Sequence, residues 1–434
     1  MPYFLLRNRS VDKQFRKAVA DGRIHGAVLL AKDLTGRKTN SGPLSHSFCE
    51  KTSDIDTGKV DISRSYGVRS LHEEDPEKRP PMSVDTPMRI ASCTKLITSI
   101  MVLRCFEQGL VDPNESVERL LPEIAKSKVL TGFDEAGNPI EREPKSPILL
   151  KHLLTHSSGL GYATLSPLLT QYREWQGLSP KNIYDDMEQC YKYPLLFDPG
   201  TRWTYGASLD WCARLISRAS GMSTEEYLQK HVVEPLGISP ETLTFEAYKY
   251  PELEARAAGV IFRDGDTLKA SPVGPGKFED ESYWHRKTEA FGGEGLFATP
   301  ASYMKVLWSI LSDDGKLLKS ETRKLLFEPA LSPEAEKSCT ELFSIPLPLG
   351  IPAPAGLKYS HSLGGRLTLE DSDGDRWRRA GNLSWGGYTN IIWNIDVKAG
   401  ICSLWAFHSL PFGNPAFMDL GTEFEKAAFG MLKQ

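Results

Sequence analysis

The chain has 434 residues, 40% of them hydrophobic and 25% charged, with a net charge of −4. That length buries a core without disulfide staples and predicts two or three structural units, or one large one. The near-balance of charge, with no long basic stripe, argues against a nucleic-acid partner, and no apolar run approaches the roughly 18 residues of a membrane span.

The opening "MPYFLLRNRS" has only a short apolar stretch before two arginines and lacks the apolar core and cleavage site of a signal peptide. Seven dispersed cysteines with no C-x-x-C pair read as reduced thiols. A cytoplasmic location is therefore expected. No Cys/His cluster has zinc spacing, and the lone His72-Glu73-Glu74-Asp75 lacks a second histidine, so neither metal nor cofactor is expected.

Residues 10–22 predict an amphipathic helix with Ser10 as N-cap, Val11, Phe15 and Val19 on one face, and Gly22 as stop. "GAVLLAK" (26–32) reads as a buried strand and "SRSYGVRS" (63–70) as its return, with a long loop insertion over 35–61. From about 87 helical signals dominate. The run 92–108 is apolar nearly all round, so it should be buried, and it stops at Gly109. A short helix and tight turn occupy 148–162, and a helix over 207–221 is closed by Gly221. Ser223 and Glu226 form a capping-box pattern. "GGEGLFATPASYMKVLWSIL" (292–311) is a glycine-rich turn, an apolar segment and a proline-initiated helix. Strand-like segments at 387–396 and 400–408 precede a C-terminal helix from about 414.

The outline is α/β: an antiparallel sheet drawn from both chain ends (1–86 and 286–434), a mainly helical region (87–285) inserted between, and a crevice where the two meet.

Ser-x-x-Lys occurs three times. Ser10–Lys13 is explained by capping and a solvated face, and Ser302–Lys305 follows Thr299-Pro300, which already supplies a cap and a first-turn proline. Ser92-Cys93-Thr94-Lys95 differs, because the apolar run behind it draws Lys95 towards the interior, where a lysine needs a reason. Positions i and i+3 share a helix face, so Lys95 reaches back over Ser92. The helix N-terminus offers free N–H groups to an oxyanion there. A capping serine with Lys95 snorkelling to water is the alternative. Serine needs a base; burial lowers an amine and a nearby cation favours a phenolate, so a lysine or tyrosine so placed suits that task. "THSSG" (155–159) has Thr155 where a nucleophile elbow needs glycine, and His156 reads as a turn residue rather than a base.

Six segments then occur in one order: "GRIHGAVLLA" (22–31), Ser92-Cys93-Thr94-Lys95, "LLTHSSGL" (153–160), "WTYGASLDW" (203–211), "GGEGLFAT" (292–299) and "WGGYTNIIW" (385–393). Together they resemble the serine β-lactamase/penicillin-binding-protein superfamily over about residues 10–430. The match is to its esterase and transesterase branch, which includes the lovastatin-type fungal acyltransferases and the family VIII esterases. The resemblance implies a β-lactamase-like fold and makes Tyr205 the phenol that shares protons with Lys95 and Ser92. Aromatic packing beside Trp203 and Trp211 is the other reading of Tyr205. Ala207 stands where the family's Tyr-x-Asn motif has asparagine, and Trp385-Gly386-Gly387 replaces Lys-Thr-Gly. Both changes weaken a lactamase reading. The implied oxyanion hole is the N–H groups of Ser92 and Tyr388. Trp385, Gly386 and Gly387 would contact substrate, with Tyr162, Trp203 and Trp393 as further pocket residues; a core tryptophan is the alternative for Trp385.

The expected function is acyl transfer through an acyl-Ser92 intermediate, from an ester or thioester to a small-molecule acceptor in secondary metabolism. The donor could be carried by an acyl-carrier protein or polyketide synthase domain. Hydrolysis uses the same residues, so a carboxylesterase is the alternative, with a β-lactamase or an inactive binding protein further behind.

Overall fold

The computed structural model describes residues 3–34, 60–181, 184, 186–271, 289–344, 356–371 and 377–432. Seven antiparallel strands form the main sheet: β1 (Gly26–Asp33), β2 (Asp61–Gly67), β3 (Tyr359–His361), β4 (Arg366–Thr368), β5 (Leu383–Gly387), β6 (Ile391–Asp396) and β7 (Ile401–Ala406). Their spatial order is β3-β4-β5-β6-β7-β1-β2, so the N-terminal hairpin docks on the C-terminal strands. Register is set by pairs such as Val28 with Ala406 and Trp385 with Trp393.

Helices cover both faces, which is why "GAVLLA" is apolar throughout rather than alternating. Cys402 and Trp405, three residues apart on β7, point to opposite faces. Cys402 meets Met304 of the helix Pro300–Ser312, whereas Trp405 lies against Gly421 of the C-terminal helix Pro415–Gly430. Phe407 stacks between Phe15 of α1 (Tyr3–Ala20) and Phe417, so the two terminal helices share one face.

In chain order α2 (Thr94–Glu107), α3 (Leu150–Leu154) and α4 (Ser208–Ser220) follow β2, and α4 packs against both α2 and α3. Next come α5 (Pro300–Ser312) and α6 (Pro415–Gly430). The sequence divides at 87, yet Met88–Arg89 pairs with Phe297–Ala298, tying the entry of the helical region to its exit. The expected 285/286 boundary and nearly all of the 35–61 insertion lie outside the described residues.

Two local expectations change. α1 starts at Tyr3, so Ser10 is inside the helix and caps nothing; the helix-favouring Leu5, Leu6 and Arg7 carry it past the serine. The strand expected over 387–396 is instead the hairpin β5–β6. Asn390 turns the chain at φ 58°, a left-handed conformation asparagine tolerates, and its amide donates to the Ser409 and Pro411 carbonyls. The caps at Thr299, Ser223/Glu226 and Gly221 form as the residue types require. Among the described residues, no helix is long and apolar enough to cross a membrane.

Candidate active site

Ser92 sits in a tight turn, Ala91–Cys93, that leads into α2. Ala91 has φ 45°, a conformation that costs an L-residue about 1–2 kcal/mol and needs support from its surroundings. Thr94 supplies that support: its hydroxyl donates to the Ala91 carbonyl at 2.6 Å and accepts from the Leu296 N–H at 3.1 Å. Strand β5 abuts the same turn. A Cβ on Gly387 would lie 2.2 Å from the Ile90 carbonyl oxygen, so only glycine permits this approach. Thr389 donates to the Arg89 carbonyl and Tyr303 to that of Cys93, which fastens the Ser92 turn to the β5–β6 turn and to α5 as well.

Lys95, one helical turn on, is 3% exposed. Three oxygens surround its Nζ: Ser92 Oγ at 3.3 Å, Tyr162 Oη at 3.2 Å and the Gly293 carbonyl at 2.7 Å. Snorkelling to water is excluded. The Tyr205 hydroxyl donates to Ser92 Oγ at 2.6 Å, and Lys95 Nζ lies 4.8 Å from the centre of the Tyr205 ring. Serine, lysine and tyrosine, 113 residues apart at the extreme, therefore meet at one oxygen.

Tyr205 stands in an aromatic enclosure. Trp203 stacks almost parallel to it, and His156, Tyr162 and Trp385 lie with ring centres 5.0–5.3 Å away. "THSSGLGY" is the wall that carries these rings: Thr204 N–H donates to the His156 carbonyl, and Tyr162 N–H to that of Tyr205. His156 takes φ 57° at the turn. It makes ring contacts with His361 and Trp385, and burial holds it neutral, its pKa well below the ordinary value. It is a turn residue, as its sequence context indicates.

Four pocket assignments are sharpened or corrected. The Tyr162 hydroxyl is engaged in the network, accepting from Lys95 and donating to Asp210 at 3.0 Å. Trp203 and Trp385, at 5% and 3% exposure, are walls behind Tyr205. Trp393, expected to line the pocket, is wholly buried in the core opposite Trp385 on the sheet, because an inner strand covered on both faces leaves its side chains no route to solvent. Tyr388 is the exposed member of the set, its ring beside Phe412.

Asp210 and Gly293 were missed by motif reading. Asp210 lies in the first turn of α4, fully buried, and its pKa is raised to about 7 by desolvation and by Glu294, while Lys95 and the Gly293 N–H draw it down. The signal was present: an aspartate set in sequence among Leu209, Trp211 and Cys212 in a buried helix is costly without a partner.

Comparison with known proteins agrees with this geometry. The beta-lactamase family model matches residues 11–421. Monacolin J acid methylbutanoyltransferase of Aspergillus terreus is 40% identical over 427 residues, covering 98% of this chain and 96% of that one. The lovastatin esterase of Penicillium rubens is 34% identical, with 95% and 96% covered. The solved structure of an Aspergillus terreus simvastatin synthase mutant superposes with a TM-score of 0.85 at 40% identity, covering 98% and 97%. The chain therefore belongs to the serine β-lactamase/penicillin-binding-protein superfamily, in the branch of serine acyltransferases and esterases of secondary metabolism.

Proposed function

We propose that the chain moves a short acyl group, of the methylbutanoyl kind, from a thioester or ester to a hydroxyl of a monacolin-type acid. Ser92 is the nucleophile, and Lys95 and Tyr205 are its proton-handling partners. The observation that carries the reading is that Lys95 Nζ and Tyr205 Oη both hydrogen-bond Ser92 Oγ, at 3.3 and 2.6 Å. The names of the relatives support the choice of acyl group and acceptor.

Ser92 Oγ bonds to the donor carbonyl carbon as its proton passes to the Lys95/Tyr205 pair. The N–H groups of Ser92 and Tyr388 would receive the oxyanion, a role supported by the close approach of β5 at Gly387 to the Ser92 turn. Collapse breaks the carbonyl–sulfur or carbonyl–oxygen bond, and the leaving group takes the proton through Tyr205. The acceptor hydroxyl then attacks acyl-Ser92 by the reverse route. Trp203, Trp385, His156 and Tyr162 form the apolar surround that favours an organic acceptor over water. A carrier protein as donor and a cytoplasmic setting belong to the same proposal. The six described cysteines are buried and none is joined to another described cysteine, which supports the setting. The lovastatin esterase relative favours hydrolysis as the second reading.

The test is intact-mass analysis after mixing with a methylbutanoyl thioester. One acyl group should appear on the protein and be absent in Ser92→Ala, whose turnover should fall on the order of 10⁴-fold or more. An adduct that persists in Ser92→Ala would remove the covalent mechanism. Release of acyl-Ser92 accelerated by a monacolin-type alcohol supports transfer; release at the same rate in water alone assigns a hydrolase.

A further inference from the structure

Lys95 is almost fully buried, and among the described residues its hydrogen-bond partners are Ser92, Tyr162 and Gly293, none of them a carboxylate. Two of its three acceptors are nevertheless held by one carboxylate. Asp210 Oδ2 accepts from the Tyr162 hydroxyl at 3.0 Å, and Asp210 Oδ1 accepts from the Gly293 N–H at 2.8 Å. Tyr162 Oη and the Gly293 carbonyl are in turn the groups that take two of the Lys95 N–H bonds. The remaining bond points at Ser92. Residue 293 must be glycine for this, since a Cβ there would lie 2.3 Å from Asp210 Oδ2. The carboxylate also sits in the first turn of α4, where the helix N-terminus favours negative charge.

We propose that Asp210 is a positioning residue for acyl transfer: through Tyr162 and Gly293 it aims the Lys95 amine at Ser92 and offsets the positive charge that the Lys95/Tyr205 pair gains with the serine proton. The inference rests on the serine acyl-transfer reading given above. A carboxylate in direct contact would hold an ammonium in a fixed ion pair. One removed by a phenol and a residue of backbone stabilises the charge as it forms while leaving Lys95 Nζ in hydrogen-bond reach of Ser92 Oγ.

The groups facing Asp210 define its titration. Lys95 comes from α2, Tyr162 from the turn after α3, Tyr193 from the following segment, Cys212 from α4 itself and Glu294 from the glycine-rich turn. Burial and then Glu294 raise it, to about 7, and Lys95 lowers it. The charge is thus present above neutral pH and lost below it.

Acyl-Ser92 formation from a methylbutanoyl thioester, timed by intact mass between pH 5.5 and 9, tests the assignment. The wild-type rate should fall through an inflection near neutral pH. Asp210→Asn, with its melting transition retained, should acylate roughly 10²-fold more slowly at pH 8, the scale of a reacting group misplaced by about 1 Å, and should lack that inflection. Tyr162→Phe cuts one of the two links, and should slow acylation about tenfold while keeping the inflection; it carries the test if Asp210→Asn does not fold. An Asp210→Asn enzyme with wild-type rate and profile overturns the inference. So does one slowed with its inflection unchanged, which is the mark of a structural role, or a Tyr162→Phe enzyme as fast as wild type. Absence of an adduct on the wild-type protein would overturn the acyl-transfer reading itself, a result distinct from any of these.

Discussion

Two clusters of buried charge in this molecule are built on opposite plans. On α6, Glu425 meets Arg378 head-on: Nε and Nη2 of the guanidinium donate to its two oxygens at 3.1 and 3.0 Å, both side chains are 0% exposed, and the Trp405 indole N–H adds a third donor. In the active site, Asp210 and Lys95 are kept apart by Tyr162 and Gly293. Direct contact satisfies every charge and leaves nothing to move. Separation through a phenol and a residue of backbone leaves Lys95 Nζ in reach of Ser92 Oγ. The first arrangement pins a helix to a sheet, and the second prepares a nucleophile.

The comparison breaks most sharply at Glu425. Glu425→Ala leaves the Arg378 guanidinium buried without its carboxylate and should cost about 3–5 kcal/mol of unfolding free energy, read by denaturant titration. The specific activity of the fraction that remains folded should be unchanged. A loss of activity without loss of stability would show that the two clusters are not separate in function. The converse variant is Tyr205→Phe. It should slow turnover by roughly 10²-fold, the scale of lost general acid–base catalysis, with unfolding free energy within about 1 kcal/mol of wild type. Near-normal turnover would remove Tyr205 from the proton path.

The smallest effect concerns His361, which lies between the clusters. Its ring contacts His156 and Trp385 on the active-site side, while its neighbour on the sheet, Arg366, shares the Ser384 hydroxyl with Arg378. Burial lowers its pKa to about 4, as it does for His152 and His408, and takes His25 to about 3. The folded state therefore prefers the neutral ring. The stability this confers is complete above pH 6.5 and drains as pH falls from 6.5 towards 4. Each fully buried histidine adds a slope of about 1.4 kcal/mol per pH unit in that window. Denaturant titrations at pH 7.5, 6 and 5 should fall accordingly, and His361→Gln should make the fall shallower by one such increment. An unchanged slope would place the acid sensitivity elsewhere.

Much of this was legible in order along the chain. The apolar run behind Ser92 required burial of α2, and burial made Lys95 conspicuous. The capping residues placed α4 and α5, and the uninterrupted "GAVLLA" called for a strand covered on both faces. Motif order then brought Tyr205 and Trp385-Gly386-Gly387 to the same serine. The errors were of a local kind. Ser10 was overruled by good helix formers before it, and Trp393 was given to the pocket because its motif adjoins the pocket, although it lies on an inner strand, on the same face as its partner Trp385, and is sealed beneath the helices that cover that face.

The sequence by itself determined most elements, through periodicity, capping and residue type within short stretches, while the nucleophile and the kind of chemistry came from the resemblance that six ordered motifs carry to a known family. The partners of Lys95 were settled only by the tertiary structure. Tyr162, Asp210 and Gly293 come from three separate segments, 48 and 83 residues from one another along the chain. A buried ammonium chooses among whatever acceptors the packing of α2, α4 and the glycine-rich turn brings within about 3 Å. No local pattern encodes that choice, since hydrogen bonding depends on distance in space and the chain reaches that distance only when folded.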